Sequence, residues 1–195
     1  MPQILNPDAE YPFIQDGLDF LREKEVLPHA QYVALSRTQK LRVIGSSAIQ
    51  TALQASKLKA LVMQSVTAGE SESEFHERIR DHVGVMRSEA NTILRTNTKQ
   101  ASIEGLTKTL EKSHIQAAFP YVMFVSTHDG RTRHDHAEHD GEIVLVGSPE
   151  YDKLLELLHE YQCRCSLIPL SAKQAKARGV DVPDEYLSPA PVNAA

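Results

Sequence analysis

Apolar residues recur at three- and four-residue intervals through the first half of the chain, which is the pattern of amphipathic helices. Prolines are rare there: Pro12 suits the first turn of a helix, and after Pro28 the next proline is Pro120. The first series lies in FIQDGLDFLREKEVL, and a second runs from residue 29 to Gly69. Their apolar positions are Ile14, Leu18 and Leu21, then Leu41, Ile44, Ala48, Leu58 and Leu61. The pattern predicts a helical domain over residues 11–114, preceded by an N-terminal arm at residues 1–10.

A third helical segment is predicted to begin at Ser71. Ser71 and Glu74 have the spacing of a capping box, in which the serine accepts from the backbone amide three residues on and the glutamate reaches back. Gly84 or Asn91 is expected to bend or split the segment. Its apolar series is Phe75, Ile79, Val83 or Val85, Met86, Ile93, Leu94, Ile103, Leu106 and Leu110. We interpret these apolar stripes as core packing between helices.

The pattern changes at Ala117, where aromatic and β-branched residues begin to dominate. AFPYVMFVSTHDG predicts a strand that ends in a turn at Asp129-Gly130, and EIVLVG predicts a second strand. YDKLLELLHE reads as one helix and QCRCSLIPL as a last strand. The predicted fold is therefore α+β: a long-helix N-terminal bundle, then a small subdomain over residues 115–170 with a short antiparallel sheet and one helix. Residues 171–195 are expected to form an extended tail, whose end SPAPVNAA is disordered or docked on a neighbour.

Composition and charge limit the classes of function. The chain has 195 residues, 41% of them hydrophobic, and a net charge of -5. We see neither a signal peptide nor an apolar run of membrane-spanning length, and we expect a soluble protein of a reducing cytoplasm without a membrane or small-molecule partner. The acidic balance argues against a dedicated nucleic-acid binder. Weak contact with DNA remains an alternative through scattered basic residues on the helices: Lys40, Arg42, Lys57, Lys59, Arg95, Lys99, Lys108 and Lys112.

Both cysteines of the chain fall in HEYQCRC, at positions 163 and 165. Residues two apart in an extended segment have Cα atoms roughly 6.5–7 Å apart, which is at or beyond the span of a disulfide. This spacing argues against a bridge and leaves a metal site or a packed structural strand.

The loop between the first two predicted strands carries candidate ligands. Four histidines lie within the twelve residues 128–139: His128, His134, His136 and His139. Three carboxylates, Asp129, Asp135 and Glu138, lie in the same stretch, and Asp140 follows it directly. Imidazole, carboxylate and thiolate groups are ligands of divalent metals, so we predict a zinc site. Its preferred ligands are His136, Cys163 and one of His159 or Cys165. The alternative is that the loop is simply solvated.

The same loop also has residues that could serve a catalytic role. A metal-dependent nuclease or peptidase could use the His/Asp-rich loop 128–140, with Arg131 and Arg133 contacting phosphate. No HExxH, GxSxG or glycine-rich phosphate loop accompanies it. We therefore favour a structural role, assign no catalytic residue, and expect an Asp129–Arg131 or Asp129–Arg164 pair to hold the loop closed.

Together these residues resemble the Mu F-like minor head protein family of tailed bacteriophages, also described as phage head morphogenesis proteins. The resemblance covers about residues 90–168. It rests on Arg95-Thr96-Asn97, Phe119-Pro120-Tyr121, Asp129-Gly130-Arg131-Thr132-Arg133, His136-Ala137, Gly141 and Cys163-Arg164-Cys165.

The resemblance implies a minor capsid component that acts in head morphogenesis near the portal, in some members in DNA packaging or ejection. Its expected partners are the portal protein, the major capsid protein or both, and its expected location is the virion head, after assembly in the host cytoplasm. The residues of its structural motif here are Asp129, Arg131, Arg133, Gly141 and Arg164.

The resemblance also implies a zinc site, because family members often have Cys-x-x-Cys in the loop and His-Pro-x-Cys-Arg-Cys near the end. In this sequence Arg133 and His136 stand at the loop cysteine positions, and His159 lies one residue further upstream than usual. The candidate metal ligands are therefore His136, His159, Cys163 and Cys165. We expect both cysteines on one face of the last strand, toward the His136 loop, with Arg164 on the opposite face toward Asp129 or the helices.

Overall fold

The computed structural model describes residues 12–27, 29–40, 42–44, 51–83, 87–160 and 163–187. The chain divides into two compact units, which we call the helical unit (residues 1–105 with 159–162) and the sheet unit (residues 106–158 with 163–195). The division falls after Gly105, whereas the sequence predicts a boundary after residue 114. The predicted N-terminal arm at residues 1–10 lies outside the described residues.

The described part of the helical unit has four helices of at least twelve residues, and short elements lie between the first and the second. The bounds are α1 Pro12–Glu23, β1 Glu25–Val26, α2 His29–Val33, α3 Arg37–Lys40, β2 Val43–Ile44, α4 Ala52–Ala68, α5 Glu72–Val83 and α6 Arg87–Leu110. The two short strands pair in parallel, with Glu25 opposite Val43 and Val26 opposite Ile44. Ile44 therefore lies in a strand and not in the predicted helical run, which agrees with the β-branched character of Val43 and Ile44.

Local signals set the ends of the longer helices. Thr51 and Gln54 form a capping box at the start of α4, and Gly69 ends that helix with φ +65°. The capping box predicted before α5 is present: the Ser71 N–H donates to Glu74 Oε2 at 2.8 Å, and the Glu74 N–H donates to Ser71 Oγ at 3.4 Å. α5 ends at Val83, α6 begins at Arg87, and Asn91 lies inside α6. Gly84, the other candidate for the break, lies outside the described residues.

The core of the helical unit joins α4, α5, α6 and β2. Its buried members are Ile44, Ala55, Leu58, Val62, Phe75, Ile79, Ala90, Ile93 and Leu94. Five of the predicted stripe positions are among these buried residues and are thereby confirmed as core: Leu58, Phe75, Ile79, Ile93 and Leu94. The predicted Leu41, Ala48, Val85 and Met86 lie outside the described residues. Within the described ranges, no helix is both long enough and apolar enough to cross a bilayer.

The sheet unit is built on a three-stranded antiparallel sheet in the order β4-β3-β5. The elements after α6 are α7 Ser113–Ala118, β3 Tyr121–Val125, α8 His134–Glu138, β4 Ile143–Leu145, α9 Pro149–Leu158, β5 Ser166–Leu170, α10 Ala172–Lys176 and α11 Asp184–Leu187. The α+β class and the antiparallel sheet are confirmed, but the unit has more than the one predicted helix. The last strand is also shorter than predicted, because it begins at Ser166 and both cysteines precede it.

Residues 171–187 correct the prediction of an extended tail. Ser171 caps α10 through a box with Gln174, in which the Ser171 N–H donates to Gln174 Oε1 at 2.8 Å. This Ser-x-x-Gln signal is of the same kind as the one read at Ser71. One face of the sheet packs on this segment, in a cluster of Tyr121, Leu170, Ala172, Ala175 and Val182. The final SPAPVNAA lies outside the described residues.

Candidate metal centre

The two cysteines enter the sheet unit just before β5. In the ladder, Phe124 of β3 lies opposite Leu167 of β5, so both side chains share one face. Cys165 lies two residues before Leu167, and Cys163 two before that. The side chains of Cys163 and Cys165 are 7% and 3% exposed, and neither residue forms a disulfide. Both thiols are therefore buried, but they lie in the segment that leads into β5 and not on the last strand, where the sequence placed them.

His136 reaches these thiols from the loop between β3 and β4. It lies on α8, a short helix that the sequence did not predict, and only 1% of it is exposed. Its Nδ1 lies 3.6 Å from Cys163 Sγ and 3.5 Å from Cys165 Sγ. The Phe124 ring meets the imidazole edge to face, with ring centroids 6.4 Å apart. Because the ring is fixed by this packing, Nδ1 is directed at both sulfur atoms.

The three donor atoms fit zinc. All three lie within 4.8 Å of one another. In tetrahedral zinc, with Zn–S of about 2.3 Å and Zn–N of about 2.0 Å, a nitrogen lies about 3.5 Å from each sulfur. The observed distances of 3.5 and 3.6 Å match that value. Two thiols and an imidazole also favour zinc over cations such as Mg²⁺ and Ca²⁺, which prefer carboxylate oxygens.

His159, the fourth candidate ligand, belongs to the helical unit. Its backbone carbonyl accepts a hydrogen bond from Gln100 Nε2 at 3.2 Å. Burial lowers the pKa of its imidazole, and the charges of Lys24 and Lys99 lower it further. Of the two ligand trios left open by the sequence, the structure brings together the one with Cys165 and leaves His159 out of the group.

Asp129 and Arg164 close the loop beside the thiols. The Arg164 guanidinium donates to both carboxylate oxygens of Asp129, at 2.6 and 2.7 Å, and the Arg131 backbone N–H donates to Asp129 Oδ1 at 3.0 Å. These bonds, that from Arg164 first, hold the pKa of the Asp129 carboxyl well below its usual range. Arg164 thus carries the ion pair, and Arg131 contributes through its backbone.

The far end of the loop is attached to β3. Asp140 Oδ1 accepts from the Ser126 N–H at 2.7 Å, and the Gly141 N–H donates to the Phe124 carbonyl at 2.9 Å. The Ser126 bond lowers the pKa of the Asp140 carboxyl. Gly141 has φ +79°, a conformation that costs an L-residue energy, which gives the physical reason for glycine at this motif position.

His134 and Arg133, two other candidates in this loop, do not belong to the group formed by His136 and the cysteines. His134 pairs with Glu138 at 3.2 Å along α8, and its side chain is 90% exposed. Arg133 occupies the N-cap position of α8 without a capping hydrogen bond from its side chain. The hydrolase reading of this loop stays a prediction.

The sequence reasoning missed a buried polar cluster in the helical unit. Lys24 is 3% exposed, and its Nζ donates to Asn97 Oδ1 at 2.9 Å and to Gln100 Oε1. Burial lowers the pKa of this amine to about 7. Asn97 belongs to the Arg95-Thr96-Asn97 motif, so the side-chain amide of this motif accepts a hydrogen bond from the buried amine. No hydrophobic periodicity could have revealed this partner, 73 residues along the chain.

Comparison with known proteins gives one finding. The sequence model of the family described as phage Mu protein F like protein matches residues 56–168, which is more than half of the chain. The matched span includes α5, α6, β3, β4, the first three residues of β5, His136 and both cysteines. No curated protein and no solved structure matches the chain.

Proposed function

This chain belongs to the phage Mu protein F like family and is a phage head-related structural protein, and we propose that it is a minor head component acting in head morphogenesis near the portal. The observation that carries the proposal is the family match over residues 56–168. Its partners in this proposal are the portal protein and the major capsid protein, and a part in DNA packaging or ejection belongs to the same proposal.

The use made of the motif residues supports an assembly role. Asp129 binds Arg164, Gly141 allows the turn back onto β3, and Asn97 holds Lys24. Each of these motif residues stabilises its own unit. This use fits the structural role that the family match indicates.

The second part of the proposal is a zinc ion bound by His136, Cys163 and Cys165. When bound, zinc supplies a cross-link between the loop of α8 and the segment before β5. The protein's own residues orient the donors: Phe124 packs on the imidazole, and the Asp129–Arg164 pair ties the loop to the cysteine segment. Thiolates and neutral imidazole are required for binding, so acid is expected to release the metal.

Contact with packaged DNA is a weaker part of the proposal, because some of the basic residues are engaged within the fold. Lys59 Nζ donates to the carbonyls of Arg22 and Lys24, each at 2.6 Å, and Arg95 binds Glu72. We expect at most a weak affinity for duplex DNA that falls as salt rises. A fluorescence anisotropy titration at two salt concentrations measures it.

The head assignment is tested by co-expression with the portal and major capsid proteins of the same phage-like element. We expect the protein to co-sediment with assembled heads in a density gradient, in few copies per particle. A matched sample without the portal gene should contain less of it. Heads that form in normal yield while the protein stays entirely at the top of the gradient would contradict the proposal.

A further inference from the structure

Residues 159–162 belong to the helical unit, although α9 before them and Cys163 after them belong to the sheet unit. We call their described part, His159 and Glu160, the 159–160 segment. Gln100 of α6 binds this segment, because its Nε2 group donates to the His159 carbonyl at 3.2 Å. The same side chain is buried and accepts a hydrogen bond from Lys24 through Oε1. One side-chain amide therefore joins the segment to the buried amine.

The His159 imidazole is packed in a way that suits only its neutral form. Its Nε2 atom is buried and has no hydrogen-bond partner among the described residues. In a neutral ring this nitrogen can be the one without a proton, whereas in a charged ring both nitrogens are donors. Protonation would therefore bury an unpaired N–H group together with a positive charge, which is costly.

The charges that act on this imidazole are positive. Burial is the main reason why the pKa of His159 is lowered, and the charges of Lys24 and Lys99 lower it further. Neither Glu160 of the segment nor Glu104 of α6, one turn beyond Gln100, is among the causes of this shift. Lys24 gains its proton inside the fold only below about pH 7. Its repulsion therefore grows over the range in which a histidine ordinarily titrates.

We propose that the 159–160 segment is an acid-sensitive latch on α6: the Gln100 bond holds it closed while His159 is neutral, and protonation of His159 favours its release. The released imidazole is hydrated and takes up a proton near the ordinary value of 6.5, whereas the closed one does so only at lower pH. The equilibrium between closed and released forms therefore shifts toward release as pH falls below about 6.5, by at most about tenfold per pH unit. This inference depends neither on a bound metal nor on the head assignment.

The latch is tested by NMR on the full chain at pH 7.0 and pH 5.5. The side-chain amide protons of Gln100 report it, because their exchange with water requires the bond to His159 to open. We expect their protection, corrected for intrinsic exchange at each pH, to fall by about threefold to tenfold on acidification. His159→Gln cannot gain a charge and should show little change. His114→Gln, at an exposed histidine of α7, should respond like the wild type.

The resonances of the His159 ring give a second measurement, which needs no variant. The closed latch requires a titration midpoint below 6.5 in the folded protein. A midpoint at or above that value, or equal protection of Gln100 at both pH values, would overturn the latch. An acid response that persists unchanged in His159→Gln would assign the effect to another group and also overturn it. Should His159→Gln fail to fold, the wild-type midpoint still decides.

Cys163→Ser separates the latch from acid release of the proposed zinc. This variant lacks a metal ligand, and we expect it to keep the acid response of the Gln100 amide. A response lost in Cys163→Ser would show that the metal controls the segment, and the latch would be wrong. The head assignment, which rests on the family match, stands under either result.

Discussion

At the scale of single residues, the buried amine of Lys24 and the left-handed Gly141 each have a consequence that can be measured. Lys24 is hydrogen-bonded by two side-chain amides but has no carboxylate partner in those bonds, so burial depresses its pKa to about 7. Gly141 combines φ +79° with a backbone bond to Phe124. At each position the choice of a single residue is expected to change the free energy of unfolding.

Because the pKa of Lys24 is lowered, the helical unit should become more stable as pH rises. A lysine whose pKa is raised by a salt bridge would have the opposite effect. Between about pH 7 and the ordinary lysine value of 10.5, the unfolded chain binds a proton that the folded chain does not. The free energy of unfolding therefore rises with pH across this window, by at most about 1.4 kcal/mol per pH unit. Urea unfolding at pH 7 and pH 9.5, followed by circular dichroism, measures the rise.

Lys24→Met should remove most of this pH dependence, and the exposed Lys57→Met should keep it. A wild-type protein no more stable at pH 9.5 than at pH 7 would show that the amine stays charged in the folded state.

Gly141→Ala is expected to destabilise the sheet unit by about 1–2 kcal/mol, because alanine must adopt a left-handed conformation. Gly130→Ala is the matched control in the same loop: its φ is not in the left-handed range, and an added Cβ meets no atom within 4 Å. We expect that control to change stability by less than about 0.5 kcal/mol. Thermal unfolding of both variants makes the comparison, and equal losses would rule out the conformational explanation.

At the scale of elements, caps decide where the helices begin. Ser71 opens α5 and Ser171 opens α10, each through a reciprocal bond with a residue three positions on. The first of these signals was read from the sequence and the second was not, although both have the same chemistry. Short helices such as α8 and α10 are marginal by themselves and depend on tertiary packing.

Ser71→Ala should lower the free energy of unfolding by about 1 kcal/mol, because the Glu74 N–H loses its side-chain acceptor. Ser71→Asp keeps an acceptor at the same position and should retain most of the stability. Urea unfolding of the two variants at pH 7 tests this. A loss as large in Ser71→Asp as in Ser71→Ala would contradict the capping role.

At the scale of the whole molecule, the two units have separate cores, and the proposed zinc lies in only one of them. The helical core is formed by residues such as Leu58 and Phe75, whereas His136 and the cysteines belong to the sheet unit. Removing the metal should therefore act on one part of the chain.

Chelation of zinc should raise the rates of amide hydrogen exchange in β3 and β5 by at least tenfold. The exchange rates in α4 and α5 should stay nearly unchanged. Cys163→Ser should reproduce this pattern without chelator and lower the zinc content from about one equivalent to near zero. Exchange followed by mass spectrometry, with elemental analysis, measures both. Exchange that rises equally in both units would contradict a metal confined to the sheet unit.

Much of the fold could be predicted because its signals are local. The periodicity of residues such as Leu58 and Phe75, the Ser71 cap and the alternation around Val122 and Phe124 all depend on neighbours within a few residues. The misassigned parts were short: the β1–β2 pair, α8 and the two helices after Ser171. Such segments carry too few residues for a period to be recognised, so their contacts with the rest of the unit decide their conformation.

The sequence by itself determined the family, the α+β class, the main helices, the three strands of the antiparallel sheet and the donor types of the candidate metal centre. Only the tertiary structure decided that Cys165 lies with Cys163 at His136 Nδ1, that Arg164 is the side-chain partner of Asp129, and that Asn97 and Gln100 hold Lys24. The physical reason is distance along the chain: periodicity and caps act over one or two helical turns. These pairings join residues 27 to 76 positions apart and depend on strand register and packing.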